Sequence, residues 1–210
     1  MRLAAHQPDL LPYPGFWWKM AHCDVFDIAL YDQFQKAGYQ RRVKMMDNWC
    51  SLPIQKPFAG PIYDVRLAPN ARQVLIDTIV GRYSGHRYWK REAGWLLDAI
   101  DDSGPSVQLT NLNANLIYAV MERLGIETKV KIARPLVMRG IDGLIELCKI
   151  YGADEYLSGI GGREYMGDNP EAVFADAGIR LVWSEHKPVT SDSVLTVLMT
   201  HRDPVPMIIG

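Results

Sequence analysis

A chain of 210 residues, 48% hydrophobic and 22% charged, can bury a core, which excludes a disordered or fibrous chain. Its 23 basic and 24 acidic residues leave a net charge of −1, so there is no general pull towards nucleic acid and any polyanion must be met by a local patch. Apolar runs stay well short of the ~18 residues of a membrane span, no secretory signal pattern is visible, and Cys23, Cys50 and Cys148 fit neither a disulfide framework nor a zinc site. A reducing cytoplasm is the expected setting.

In chain order, Leu3 to Ala5 reads as a strand that stops at His6-Gln7-Pro8-Asp9. Pro8, Pro12 and Pro14 stiffen the following loop, because each fixes its own φ and restricts the residue before it. A helix is predicted from Phe16 to His22 and a second strand from Val25 to Leu30. Strand, polar loop, helix, strand opens a parallel α/β unit. Ligands of such sheets sit beyond the carboxyl ends of the strands. His6, Gln7 and Asp9 are thereby placed to hold a phosphate or a leaving group; a proline-rich turn with a capping aspartate is the structural alternative.

Tyr31 to Lys44 is polar, aromatic and basic. Lys36, Arg41, Arg42 and Lys44, with Gln33, Gln35 and Gln40, interleave with Tyr31, Phe34 and Tyr39. That mixture suits a phosphorylated ligand bearing a flat ring; a solvated basic loop explains it equally. Strands are predicted at Trp49–Ile54, stopped by Lys56-Pro57, and at Pro61–Leu67. Three helices follow: 71–80 capped by Asn70, Tyr88–Ile100 closed by the Asp-Asp-Ser-Gly-Pro turn, and one opened by Ser106 or Thr110 that ends at Leu124-Gly125. Together, residues 68–125 read as a helical insertion or a layer covering the sheet. The basic-aromatic run Arg82 to Arg91 reads as the start of a surface helix.

The α/β rhythm then resumes: a strand at Ile126–Ala133, a helix at Gly140–Gly152 and a strand at Glu155–Leu157. A helix begins at Asn169-Pro170, with proline at its first position, and Gly178 ends it. Ile179–Trp183 is a last strand, and a helix from Ser191 or Asp192 to Thr200 closes the pattern. The whole, 1–210, reads as a single α/β domain. After the strand at 155–157, Ser158, Gly159, Gly161, Gly162 and Arg163 form a glycine-rich stretch. Glycine lets backbone N–H groups approach an anion, and arginine adds a bidentate fork; a plain strand-to-helix turn is the alternative. His22, His186 and His201 lack ligand spacing, and His186, although at a strand end, is left out of the site. With no Gly-x-Ser-x-Gly elbow, Walker loop or His-Glu-x-x-His, serine hydrolases, P-loop kinases and zincins are poor readings. No resident metal or organic cofactor is expected.

His6-Gln7-Pro8 with Leu11-Pro12 and Gly15-Phe16, then Lys19, Asp24-Val25-Phe26 and Gln33-Phe34-Gln35-Lys36, resembles the WbqC-like family. Tyr156-Leu157-Ser158-Gly159 with Gly162-Arg163-Glu164-Tyr165 resembles that family's second signature, and Thr190 to Val205 its closing segment. Tyr31-Asp32 stands where the family often has an Asp-Asp pair, and Arg41-Arg42-Val43 where it usually has Asn-Arg-Asn. The first strand, its histidine and the helix after it are also similar to nucleotidyltransferase-type Rossmann variants. The implied fold is Rossmann-like at the N-terminus, with the helical insertion and an α/β C-terminal part.

The resemblance implies transfer of an amino acid or amine, such as glycine, to a phosphate- or pyrophosphate-activated acceptor. That acceptor is an activated sugar in surface-polysaccharide synthesis or a hypermodified pyrimidine in phage DNA, and the setting is the host cytoplasm if a phage encodes the chain. DNA as carrier is weakened by the near-zero charge and supported by the basic-aromatic stretches. In this chemistry His6, Lys36, Arg42 and Arg163 stabilise the leaving group, while Asp9 or Asp32 orients or deprotonates the ammonium. The expected catalytic set is His6, Gln7, Asp9 and Asp32. The expected substrate-binding set is Gln33, Gln35, Lys36, Arg42, Lys44, Ser158, Gly159, Gly162, Arg163 and Tyr165. A nucleotidyltransferase, which alone calls for Mg²⁺, and a non-catalytic phosphometabolite-binding module are the alternatives.

Overall fold

A computed structural model describes residues 1–55, 59–102, 107–132 and 134–210. Five parallel strands form the main sheet: β1 (Arg2–His6), β2 (Val25–Ile28), β5 (Lys129–Lys131), β6 (Glu155–Ser158) and β7 (Arg180–Trp183). Their spatial order is β5-β2-β1-β6-β7. Counted along the chain, these strands lie in the 3-2-1-4-5 order of a doubly wound, Rossmann-like sheet, whose connections reverse direction between β1 and β6.

Parallel strands are covered on both faces and therefore read as short, nearly continuous apolar runs. β2 and β6 are buried at every position. Side chains alternate between two cores, as the two-residue period of a strand requires. Ala4, Phe26, Ile28 and Leu157 enter the larger core with Phe16 and Trp17 of α1 (Pro14–Ala21). Leu3, Val25 and Tyr156 enter the smaller one with α5 (Gly140–Tyr151) and α6 (Pro170–Asp176).

The middle helices α2 (Ala71–Tyr83), α3 (Trp89–Asp101) and α4 (Leu109–Leu124) bury Leu75, Ile79, Leu96, Ile100, Leu112 and Leu116 in the larger core. A fully buried carboxylate, Glu92, joins two of them by accepting two hydrogen bonds of 2.7 Å from Arg123. Gly125 and Gly152 end α4 and α5 in the left-handed conformation, with φ of 68° and 67°. Ser193 caps α7 (Val194–Thr200) by accepting from the Leu195 N–H at 3.2 Å.

Several elements differ from the sequence reading. Arg42–Met45 is a strand, β3, paired antiparallel with β4 (Asn48–Ser51) through a two-residue turn at Met46-Asp47. Both turn residues have positive φ, 47° and 62°, as a primed hairpin turn requires, but neither is the glycine or asparagine that announces one. Pro61–Leu67 holds a 3₁₀ turn at Ile62–Asp64 with isolated bridges rather than a strand. Asn70 makes no side-chain cap, and α2 runs on to Tyr83. A short helix, α8 (Val205–Ile209), was not foreseen, since Pro206 sits within its first turn where the missing N–H does no harm. The stop at Lys56-Pro57, most of the turn before Ser106, Ser106 itself and Ala133 lie outside the described residues. Among those described, no helix is long and apolar enough to cross a membrane.

Candidate functional site

β1 stays paired with β2 as far as His6↔Ile28, but with β6 only as far as Leu3↔Tyr156. The ladder therefore opens at the carboxyl end, at the point where the winding reverses and where open α/β sheets bind ligands. A cleft of about 700 Å³ lies there. Segments following all five strands line it: His6 and Gln7 after β1; Tyr31, Asp32 and Gln35 after β2; Arg134 and Arg139 after β5. Ser158, Gly159, Gly162 and Tyr165 contribute after β6, and Ser184 and His186 after β7.

The loop after His6 is held from three directions. Asn113, fully buried on α4, donates to the Pro8 and Gln40 carbonyls at 2.6 and 2.7 Å. The Trp17 indole N–H donates to the Pro12 carbonyl at 3.0 Å, and the Val194 N–H reaches the same carbonyl at 2.9 Å. Within the loop, buried Leu11 sits at a φ of 44°, a left-handed conformation that is strained for a branched side chain and persists only when its surroundings hold it.

Three titratable groups meet where β1 ends. The His6 Nδ1 lies 3.1 Å from the Gln7 carbonyl and 3.6 Å from Asp9. A carbonyl only accepts, so the proton sits on Nδ1 and the lone pair on Nε2. Burial, reinforced by the Lys19 ammonium, pushes the imidazole down to about 3, so His6 is neutral at pH 7. Burial drives the Asp9 carboxyl the other way, up to about 7, against the pull of Lys19. Lys19, on α1, is itself 7% exposed and lowered by burial to about 8. Opposed perturbations of this size beside one cleft make it a candidate site for proton transfer.

Gln7 joins two of the loops. Its amide donates to Asp32 at 2.9 Å and accepts from Gln40. The Ser158 hydroxyl donates to the Gly159 carbonyl at 3.1 Å, and the Gly162 N–H is taken by that same carbonyl at 2.9 Å. A side chain at Gly162 would run into Ser158 and would lie 3.1 Å from the Trp183 ring, so this glycine allows a close approach of loop and strand.

The cleft brings together His6, Gln7, Asp32, Gln35, Ser158, Gly159, Gly162 and Tyr165 of the expected residues. The other six lie outside its lining. Asp9 stands behind His6, and exposed Gln33 bridges to Pro61. Lys36 is exposed and uses its carbonyl to accept from Arg41. Arg42 stacks on the Trp49 indole, 4.2 Å from its centre, and Lys44 pairs with Asp47 at 2.8 Å. Arg163 stacks on Trp183 at 4.8 Å. The cations at the cleft are instead Lys19, Arg134 and Arg139, and His6 carries no charge there.

Sequence reasoning left six residues out of the site. Lys19 was named only among the residues that carry the family resemblance, yet it sits three positions after Phe16 and so shares that residue's buried face. Arg134 directly follows the predicted strand end at Ala133, and Arg139 adjoins the predicted helix start, which were signals available but unused. His186 lines the cleft and stacks on Trp18, and its buried Nε2 has no hydrogen-bond partner among the described residues. Asp27, 2% exposed, accepts from the Tyr151 hydroxyl at 2.7 Å; a lone acid in an apolar strand was the clue. Asn113 gave none.

The model of the WbqC-like protein family matches residues 7–191 of the chain. The chain is also similar to Uncharacterized protein Rv1507c of Mycobacterium tuberculosis, at 26% identity over 203 residues, which cover 88% of this chain and 82% of that one. No solved structure matches it.

Proposed function

Because the chain belongs to the WbqC-like protein family, we propose that it is a transferase that attaches an amino acid or amine to a phosphate- or pyrophosphate-activated acceptor. The acceptor is an activated sugar or a hypermodified pyrimidine. One observation carries this reading: a neutral imidazole, a carboxylate and cationic side chains line one cleft at the switch point of the sheet. Substitution at an activated carbon needs these three components. The amine nitrogen forms the new C–N bond as the C–O bond to the phosphate breaks, and the leaving group departs with that electron pair. Arg134 and Arg139 meet its negative charge. Asp32, held by Gln7, orients the incoming ammonium, and the His6 Nε2 lone pair accepts a proton from the nitrogen. A bound pyrophosphate raises the basicity of His6, because an added negative charge favours its protonated form.

The test is a mass-spectrometric turnover assay with pyrophosphorylated hydroxymethyl-pyrimidine DNA and, separately, a nucleotide-sugar panel, each with mixed amino acids. An amino-acid mass gain with release of pyrophosphate or nucleotide is the expected result, and it names the acceptor. Turnover that demands Mg²⁺ and an NTP would replace this reading with nucleotidyl transfer. Ligand binding without any product would replace it with a binding module.

A further inference from the structure

Lys19 is placed in a way that its structural role does not justify. Its ammonium reaches from α1 to the Ala5 carbonyl at 2.8 Å, just where β1 and β6 part and that end of the ladder is open. Among the described residues this is its one hydrogen bond, and it makes no ion pair. Its remaining neighbour of note is the Phe26 ring, 5.8 Å from Nζ. An ammonium has three donors, and burying its charge against one neutral carbonyl leaves most of the lost hydration uncompensated. A neutral donor would satisfy Ala5 at less cost. Asp27, Asp32 and His186 line the same cleft, and among the described residues none of them pairs with Lys19; the titratable groups facing it are His6 and Asp9 at and after the end of β1 and Cys23 just past its own helix. None of these last three supplies a full negative charge at neutral pH: His6 is neutral, Asp9 is held to about 7, and burial pushes the Cys23 thiol up to about 12.

We infer that Lys19 is a phosphate-binding residue, whose ammonium holds an oxyanion of the ligand in the opening between β1 and β6. Lysine serves phosphate as a point charge, needing reach rather than a planar fork. The inference rests on the reading of the cleft as the place of a phosphate-activated substrate, but it does not require transfer to occur.

Calorimetric titration of the full chain with inorganic pyrophosphate tests it, at pH 8.5 in two buffers of different ionisation enthalpy. The wild type binds, and its proton uptake exceeds that of Lys19→Arg, because the anion favours charged Lys19 while Asp9 and pyrophosphate itself titrate in both proteins. Lys19→Met weakens binding about 10- to 100-fold, the range of one hydrogen bond to a charged group. Lys19→Arg keeps part of the affinity with less proton uptake, since arginine is charged throughout. Circular dichroism and melting temperature check that each variant folds. Should Lys19→Met fail to fold, Lys19→Gln still decides the matter. Undiminished affinity in a folded Lys19→Met or Lys19→Gln protein overturns the inference, as does a wild type that binds N-acetylglycine but not pyrophosphate. Lys19-dependent pyrophosphate binding without turnover would sink the transferase and leave this site standing.

Discussion

The cleft and the β3–β4 hairpin contain the same kinds of side chain and use them in opposite ways. On the hairpin the cations are engaged, although the buried Nε of Arg42 has no hydrogen-bond partner among the described residues. Arg42 lies on Trp49, Lys44 pairs with Asp47, and Arg82 donates to the Met45, Asn48 and Trp49 carbonyls at 3.2, 2.8 and 3.0 Å. In the cleft, Lys19 is buried against one carbonyl and His6 is neutral beside a carboxyl that resists ionisation. A density of positive charge is thus a poor guide to a binding site. Charge left short of partners in a concave place is the better one.

Activity should separate the two regions most sharply. His6→Ala is expected to lower turnover of the activated acceptor by about 10²- to 10⁴-fold, the usual range for losing a positioned acid–base group. Arg42→Ala should leave the rate near wild type. Equal losses in initial-rate assays would erase the distinction.

Stability against pH tests the cleft without a substrate. Asp9 has a folded pKa of about 7 against 3.8, so the native state binds more protons between those values and its contribution is lost as pH rises through them. His6 has a folded pKa of about 3 against 6.5, so the unfolded state binds more protons and stability grows as pH rises through that window. The slopes oppose each other and nearly cancel in the wild type between pH 4 and 6.5. Urea unfolding should show the wild type losing stability relative to Asp9→Asn from pH 4 to 7, and gaining relative to His6→Gln from pH 3 to 6.5. Each change is on the order of 4 to 5 kcal/mol. Parallel profiles for all three proteins would mean that neither group is perturbed.

Asn113→Ala should follow, at about 2 kcal/mol, because it strips hydrogen bonds from two buried carbonyls. As it also frees the loop bearing His6, it should reduce turnover, whereas a comparably destabilising substitution such as Ile79→Ala should not.

The sheet was legible because its strands are short apolar runs stopped by polar residues, as at Ala5-His6 and Leu157-Ser158, and because Gly125, Gly152 and Gly178 mark helix ends. Strand-end logic therefore pointed to His6, Gln7, Gln35 and Ser158 at one edge, while Asp32 entered through the chemistry that the resemblance implies. The hairpin was illegible since Met46-Asp47 adopts positive φ without the usual residues, and a polar basic stretch read as loop became a paired strand. Its pairing fixed where Arg42 and Lys44 could reach. Lys19 and Asn113 were missed for a different reason. Their importance comes from contacts with Ala5, Pro8 and Gln40, which depend on how α1 and α4 pack over the sheet, and no local pattern encodes that.

The smallest expected effect bears on the hairpin itself. Trp49 is 44% exposed and Arg42 lies across its face, so their attraction is worth only about 0.5–1 kcal/mol. A double-mutant cycle of Arg42→Ala and Trp49→Ala should return a coupling of that size in urea unfolding, with pyrophosphate affinity unchanged in all four proteins. Coupling in stability alone means that the stack is a structural device which shields the outer face of β4. Coupling in pyrophosphate affinity would instead make the hairpin a second wall of the ligand site, reached across Tyr39, whose ring lies 5.7 Å from that of Trp49. Partnered charge would then have been counted out too early.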